Sequence, residues 1–112
     1  MVSIETFIKL AVSFPEVLQQ PHFEKESFRV NKKIFATVDI ENKRVVVKFS
    51  ETDQSVFCAF DKTIIYPVSG EWGKQGWTII ELKKIKLSML NDALTTSYCT
   101  VAPPKLAALV KK

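Results

Sequence analysis

All three glycines and both tryptophans of this chain lie in a single eight-residue stretch, Gly70-Glu71-Trp72-Gly73-Lys74-Gln75-Gly76-Trp77. Glycine is required where the backbone takes a positive φ, or runs too close to another segment to admit a Cβ. Glycines at i, i+3 and i+6 therefore predict a tight, irregular turn. Trp72 sits inside it, and Trp77 opens the apolar run Trp77-Thr78-Ile79-Ile80. Valine at Gly73 or Gly76 is expected to strain the fold. Two roles stay open for the turn. Both tryptophans can be core wedges around which the backbone folds, or an exposed Trp72 with Lys74 can form a stacking-and-charge platform. Trp77 is expected to be buried and Trp72 more exposed.

The flanking sequence alternates in short runs. Ile4, Phe7, Ile8, Ala11 and Phe14 mark one face of a helix that follows Ser3 as N-cap and ends before Pro15. Glu16 to Pro21 reads as a short connection or a helical turn that stops at Pro21. Ser27 to Val30, Ile34 to Asp39 and Arg44 to Phe49 read as strands joined by short polar turns, an antiparallel meander. Ile34, Ala36 and Val38 are expected on one face of their strand, and Val45, Val47 and Phe49 on one face of theirs. Ser50 starts a short helix anchored to the sheet by Val56, Phe57 and Phe60. Ile64 to Val68 is a fourth strand, put at an edge or a bulge by Pro67, and Trp77 to Leu82 a fifth. Leu87, Leu90, Leu94, Ser97 and Tyr98 share a helix face, capped by Ser88 or begun a turn earlier. Pro104 opens a last helix that carries Lys111 and Lys112 at its end. The expected fold class is α+β: a five-stranded antiparallel sheet with helices packed on one face, in one domain over residues 1–112.

Charge and composition narrow the chemistry. The net charge is +4. Residues 1–56 sum to zero, so the excess lies in residues 57–112, with Lys83, Lys84 and Lys86 as a run. A basic balance permits contact with phosphate polymers without requiring it. His22 is the only histidine and Cys58 and Cys99 the only cysteines. That excludes a multi-histidine metal site and leaves the thiols as buried groups in a reducing compartment. No glycine-flanked serine nucleophile and no Gly-Lys-Ser/Thr phosphate loop is present. Apolar runs are too short to span a bilayer, and the N-terminus lacks the form of a signal peptide. The expectation is a cytoplasmic, monomeric binding module with no catalytic residues, no cofactor, no metal and no membrane partner.

Phe28-Arg29-Val30, Lys33-Ile34-Phe35-Ala36, Trp72-Gly73-Lys74-Gln75-Gly76-Trp77-Thr78 and Val101-Ala102-Pro103, with Pro21-His22-Phe23 ahead of them, resemble the MmcQ/YjbR family of small bacterial proteins. The resemblance runs from about Glu16 to about Leu109, and the tryptophan–glycine element is its most specific part. It implies a CyaY-like α+β fold and a DNA-binding label, from the proposal that strand pairs act as two wings. It implies no catalytic set, cofactor or substrate. One departure stands out. The family usually continues Ala-Pro-Lys-Lys-Leu, whereas here Pro104 replaces the first lysine and leaves Lys105 alone.

The candidate nucleic-acid-binding residues are Arg29, Lys32, Lys33, Lys48, Trp72 and Lys74, with Gly70, Gly73, Gly76 and Trp77 as the structural motif. Arg29 and Lys48 alternate with apolar neighbours, so both are expected to project from the sheet. On a shared open face they would form a basic surface for DNA, bound weakly and through phosphates. The alternatives are a solvated face balanced by Glu24, Glu26 and Glu41, or a protein- or small-ligand-interaction domain built on the same aromatic turn.

Overall fold

Ser3 caps the first helix: its hydroxyl accepts the Thr6 amide at 3.1 Å, and α1 (Ile4–Val12) turns Phe7 and Ala11 into the core. The computed structural model describes residues 1–110. Its antiparallel sheet has six strands rather than five: β1 (Leu18–His22), β2 (Lys25–Val30), β3 (Lys33–Asp39), β4 (Arg44–Lys48), β5 (Ile65–Pro67) and β6 (Trp77–Glu81). They lie in the order β1-β2-β3-β4-β6-β5. The extra strand is β1, the segment expected to be a connection or a helical turn. Its sequence, Leu18-Gln19-Gln20-Pro21-His22, has no apolar alternation and buries no face. It is a strand because a two-residue hairpin sets His22 opposite Lys25 and zips it along β2. Pro21 is tolerated because β1 is an edge. Pro67 marks the other edge, on β5.

A bulge resets one face of the sheet. Ala36 pairs with Phe28, but Ile34, two residues earlier, pairs with the adjacent Arg29. Phe35 is the extra residue. Ala36 and Val38 keep to the core as expected; Ile34 does not, because the bulge rotates it onto the opposite face beside Arg29. Phe35 is driven fully into the core. There it meets Tyr98 edge to face at 5.5 Å, and Tyr98 stacks on Phe14 at 5.0 Å. The bulge also interrupts the β3–β4 ladder, whose last pair there is Ala36 with Val47. Ser97 repairs it from α4 (Leu87–Val101): its hydroxyl donates to the Phe35 carbonyl at 2.7 Å and accepts the Lys48 amide at 3.0 Å. A buried carbonyl and a buried amide are thereby satisfied by one side chain.

Helices α1 and α4 cover the core face, over the fully buried Phe28, Val30, Val38, Val45, Val47 and Ile80. Phe7 meets Phe28 edge to face at 5.3 Å. Ser50 caps α2 (Glu51–Cys58) as expected, accepting from the Asp53 amide. Phe57 stacks on Phe49 at 4.8 Å. Val56 and Phe60, expected to help anchor this helix, are exposed. Val56 points about a quarter-turn away from Phe57, and Phe60 lies past the helix end. Lys86, not Ser88, is the N-cap of α4, and it makes no side-chain capping bond. The chain described here ends with α5 (Pro104–Val110). Lys111 and Lys112, expected to end that helix, lie outside the described residues. No helix among the described residues is long and apolar enough to cross a membrane.

Candidate functional site

The glycine–tryptophan stretch is not an irregular turn but a short helix, α3 (Glu71–Lys74), set against β6. Gly73 packs so close to β5 that a Cβ would lie 1.8 Å from the Val68 carbonyl oxygen. Gly76 has φ +102, and a Cβ there would lie 1.9 Å from the Phe49 oxygen. That approach is fixed by the Phe49 amide, which donates to the Gly76 carbonyl at 3.0 Å. Gln54 on α2 clamps the turn, donating to the Gly73 carbonyl at 2.9 Å and the Thr78 hydroxyl at 3.1 Å.

This scaffold decides where the tryptophans go. In β6 the buried residues are Thr78 and Ile80, which face the helices. Trp77 and Ile79 therefore face the other way, onto the side of the sheet that α1 and α4 leave open. Trp77 is half-buried there rather than a core wedge. Trp72 is 62% exposed, the more open of the two as expected. The ammonium of Lys48 lies 5.4 Å from the Trp77 ring centroid, and its Nζ donates to the Gln75 carbonyl. Lys48 thus covers one face of Trp77 and ties β4 to the turn.

Two adjoining concavities mark the open face. The first, about 510 Å³, gathers Arg29, Lys32, Lys33 and Lys48 with Ile34 and Trp77, and is walled by Thr100 and Val101 at the end of α4. Arg29, Lys33 and Lys48 come from strands β2, β3 and β4, while Lys32 comes from the β2–β3 turn. Arg29 is steadied by Ser27, whose hydroxyl accepts from its Nε at 3.2 Å. The second, about 390 Å³, is an apolar trough of Ile34, Val46, Val68, Trp72 and Trp77, with Thr37 on its floor and His22 and Lys25 at one wall. Ile34 and Trp77 belong to both. Among the described residues, no carboxylate lines either one.

The carboxylates named as balancing charges lie elsewhere. Glu26 shares the Phe28 side of β2 and accepts from Gln19 at 3.2 Å. Glu81, on the open face, is committed to Arg44 at 3.0 Å and to the Tyr66 hydroxyl. Burial, then the Glu81 carboxylate, push the Tyr66 phenol above its ordinary value. Lys74 lines neither concavity and pairs with Glu71 at 3.5 Å, both exposed. Burial raises the Cys58 thiol, and it too lies outside both.

His22, Lys25, Ile34, Val46 and Val68 were not read as site residues from sequence. Ile34 was hidden by the bulge, which no local pattern announces. His22 and Lys25 were hidden because β1 has no strand signal, so nothing placed them opposite each other. Among the described residues, no cluster of three or more His, Cys, Asp or Glu could hold a metal ion.

Comparison with known proteins follows the same lines. No curated protein matches the chain. Among solved structures it is similar to the Deinococcus radiodurans protein DR2400, of the DUF419 family-model domain, with a TM-score of 0.80 and 18% identity over 98% of this chain and 88% of that one. At that identity the likeness is one of fold. A family model, YjbR, matches residues 12–100, which take in the sheet, the glycine–tryptophan turn and most of α4, and on that match the chain belongs to the YjbR family.

Proposed function

We propose that this protein is a non-catalytic module that binds nucleic acid weakly and through its phosphates, on the open face of the sheet. The observation that carries the reading is the first concavity. Four cations converge there from three strands and a turn, with no carboxylate among the described residues lining it. Like charges held together without local compensation repel one another, and an anion relieves that repulsion. A polyanion long enough to follow the groove onto Lys25 would release counterions along its path. Lys48 already spends its ammonium on Gln75 and Trp77, which leaves Arg29, Lys32 and Lys33 as the main phosphate partners. Nothing in the groove reads base edges in a duplex: no helix enters it with Asn, Gln or Arg. The expected binding is therefore indifferent to duplex sequence, with dissociation constants of ~10⁻⁴–10⁻⁶ M at physiological salt.

A second reading has its own support. The neighbouring trough is largely apolar and bears the exposed Trp72, which suits a protein or small-ligand partner. Salt separates the two. Titrating duplex DNA across a salt series should give a linear fall of log affinity with log salt. Lys32→Gln with Lys33→Gln should reduce that slope by about 1.8, two phosphate contacts' worth. Absence of binding at low salt would remove the nucleic-acid reading and leave the interaction domain in its place.

A further inference from the structure

We propose that the apolar trough is a pocket for one unpaired nucleobase, whose own phosphate lies on the adjoining cationic groove. Single-stranded nucleic acid is then the preferred ligand. This rests on the reading of the groove as a phosphate site and adds what the trough beside it is for.

The pocket is assembled from residues far apart in the strand order. His22 on β1 and Trp72, just past β5, come from opposite edges of the strand order, yet they wall the same concavity. Its volume of about 390 Å³ falls in the range of small-molecule sites, ~300–1,000 Å³. Its composition has the form such sites take: a largely apolar lining, two indoles, and a few polar groups to orient a ligand, here Thr37, His22 and Lys25. A ligand that fills both concavities must therefore join a flat apolar part to an anion. The shared residues, Ile34 and Trp77, put those two parts side by side. A nucleotide has that construction. A duplex does not present it, because its bases are stacked inside.

The two tryptophans have different parts in this. Trp77 has one face under the Lys48 ammonium and forms the wall between base and phosphate. Trp72, mostly exposed, carries the ring face on which a base can stack. Beside the pocket, Phe23 at the tip of the β1–β2 hairpin is 93% exposed and holds φ 60. Its ring meets that of His22 at 4.8 Å. A bulky residue in that conformation is strained, yet the tip buries nothing in return. A second aromatic surface at the rim, close to a base entering past His22, gives that strain a use.

The test compares three ligands of equal backbone charge: an oligothymidylate of about ten nucleotides, a fully abasic strand of that length, and a duplex with the same number of phosphates. The readouts are affinity and the two indole Nε1–H resonances, assigned through Trp72→Ala. The oligothymidylate should bind about tenfold more tightly than the abasic strand and shift the Trp72 indole. The abasic strand should leave that resonance in place. Trp72→Ala should abolish the advantage of the bases without weakening the abasic strand or the duplex. Equal affinities for all three, with the Trp72 indole unmoved, would overturn the base pocket and leave the phosphate groove standing. Failure of all three to bind at low salt would remove the groove reading and the pocket with it.

Discussion

At the scale of the residue, the three glycines are held by different constraints. Gly73 and Gly76 sit where a Cβ would collide with a carbonyl, from Val68 and Phe49 respectively. Gly70 has φ +75 but open space around its Cβ position. Gly73→Ala and Gly76→Ala should therefore each cost more than ~2 kcal/mol, since packed backbone just past the end of a strand must move. Gly70→Ala should cost about 1–2 kcal/mol, from strain alone. Denaturant midpoints of the three variants check the order; a Gly70 variant as damaged as the other two would contradict it. Ser97 makes a comparable point. Ser97→Ala leaves the Phe35 carbonyl and the Lys48 amide without their partner in a buried place, so a loss of about 1–3 kcal/mol is expected in the same measurement.

At the scale of the element, turns made without glycine carry the strain. Asn31 and Lys32 both have positive φ, 51 and 68, in the two-residue turn between β2 and β3. That is the I′ pattern, for which Asn-Gly is the favoured pair. Lys32→Gly should therefore stabilise the protein by about 0.5–1 kcal/mol while removing one cation from the groove. If Lys32 serves phosphate binding, the same variant should lower the salt slope by about 0.9. A more stable protein with undiminished binding would show that Lys32 is only a solvated turn residue. Strand β1 is the other element whose form is set by its partner. Its pairing with β2 brings His22 to the trough, although its own sequence lacks a strand pattern.

At the scale of the whole molecule, linear charge and spatial charge differ. The excess of lysine lies in residues 57–112, yet the four cations of the groove all come from the neutral first half. Lys83→Gln with Lys84→Gln should then leave the salt slope of DNA binding nearly unchanged, while the Lys32 and Lys33 pair lowers it. Equal effects from both pairs would mean that DNA follows net charge and not the groove. The pH response is also a property of the whole fold. Tyr98 is pushed above the ordinary 10.0 by burial, then by Glu16; Tyr66 is raised by burial, then by Glu81. A phenol whose pKa is raised by folding adds stability that is complete below the unfolded value and is lost as pH rises through the folded one. Stability with respect to these groups should hold to about pH 10 and fall above it. Tyr98→Phe should lose about 1 kcal/mol with the bond to the Pro15 carbonyl and decline less steeply on the alkaline side. An alkaline limb as steep as in the parent protein would place the effect elsewhere.

The sequence by itself determined the α+β class, the caps at Ser3 and Ser50, the choice of edge or bulge at Pro67, and the segment where the backbone runs too close to its neighbours to admit a Cβ. These follow from side-chain periodicity, a capping hydroxyl, a missing amide hydrogen and missing Cβ atoms, all properties of a residue and its near neighbours. Arg29 and Lys48 were legible as projecting residues for the same reason, and Trp72 as the more open indole. Only the tertiary structure decided the rest. The bulge at Phe35 put Ile34 on the open face, because two residues of β3 span one step of β2. Packing of Thr78 and Ile80 toward the helices turned Trp77 outward. The hairpin made a strand of β1, and the folded sheet brought His22 to the same trough as Trp72. Each of these depends on which partner a strand finds across the sheet, and that pairing is long-range: no window along the chain contains it.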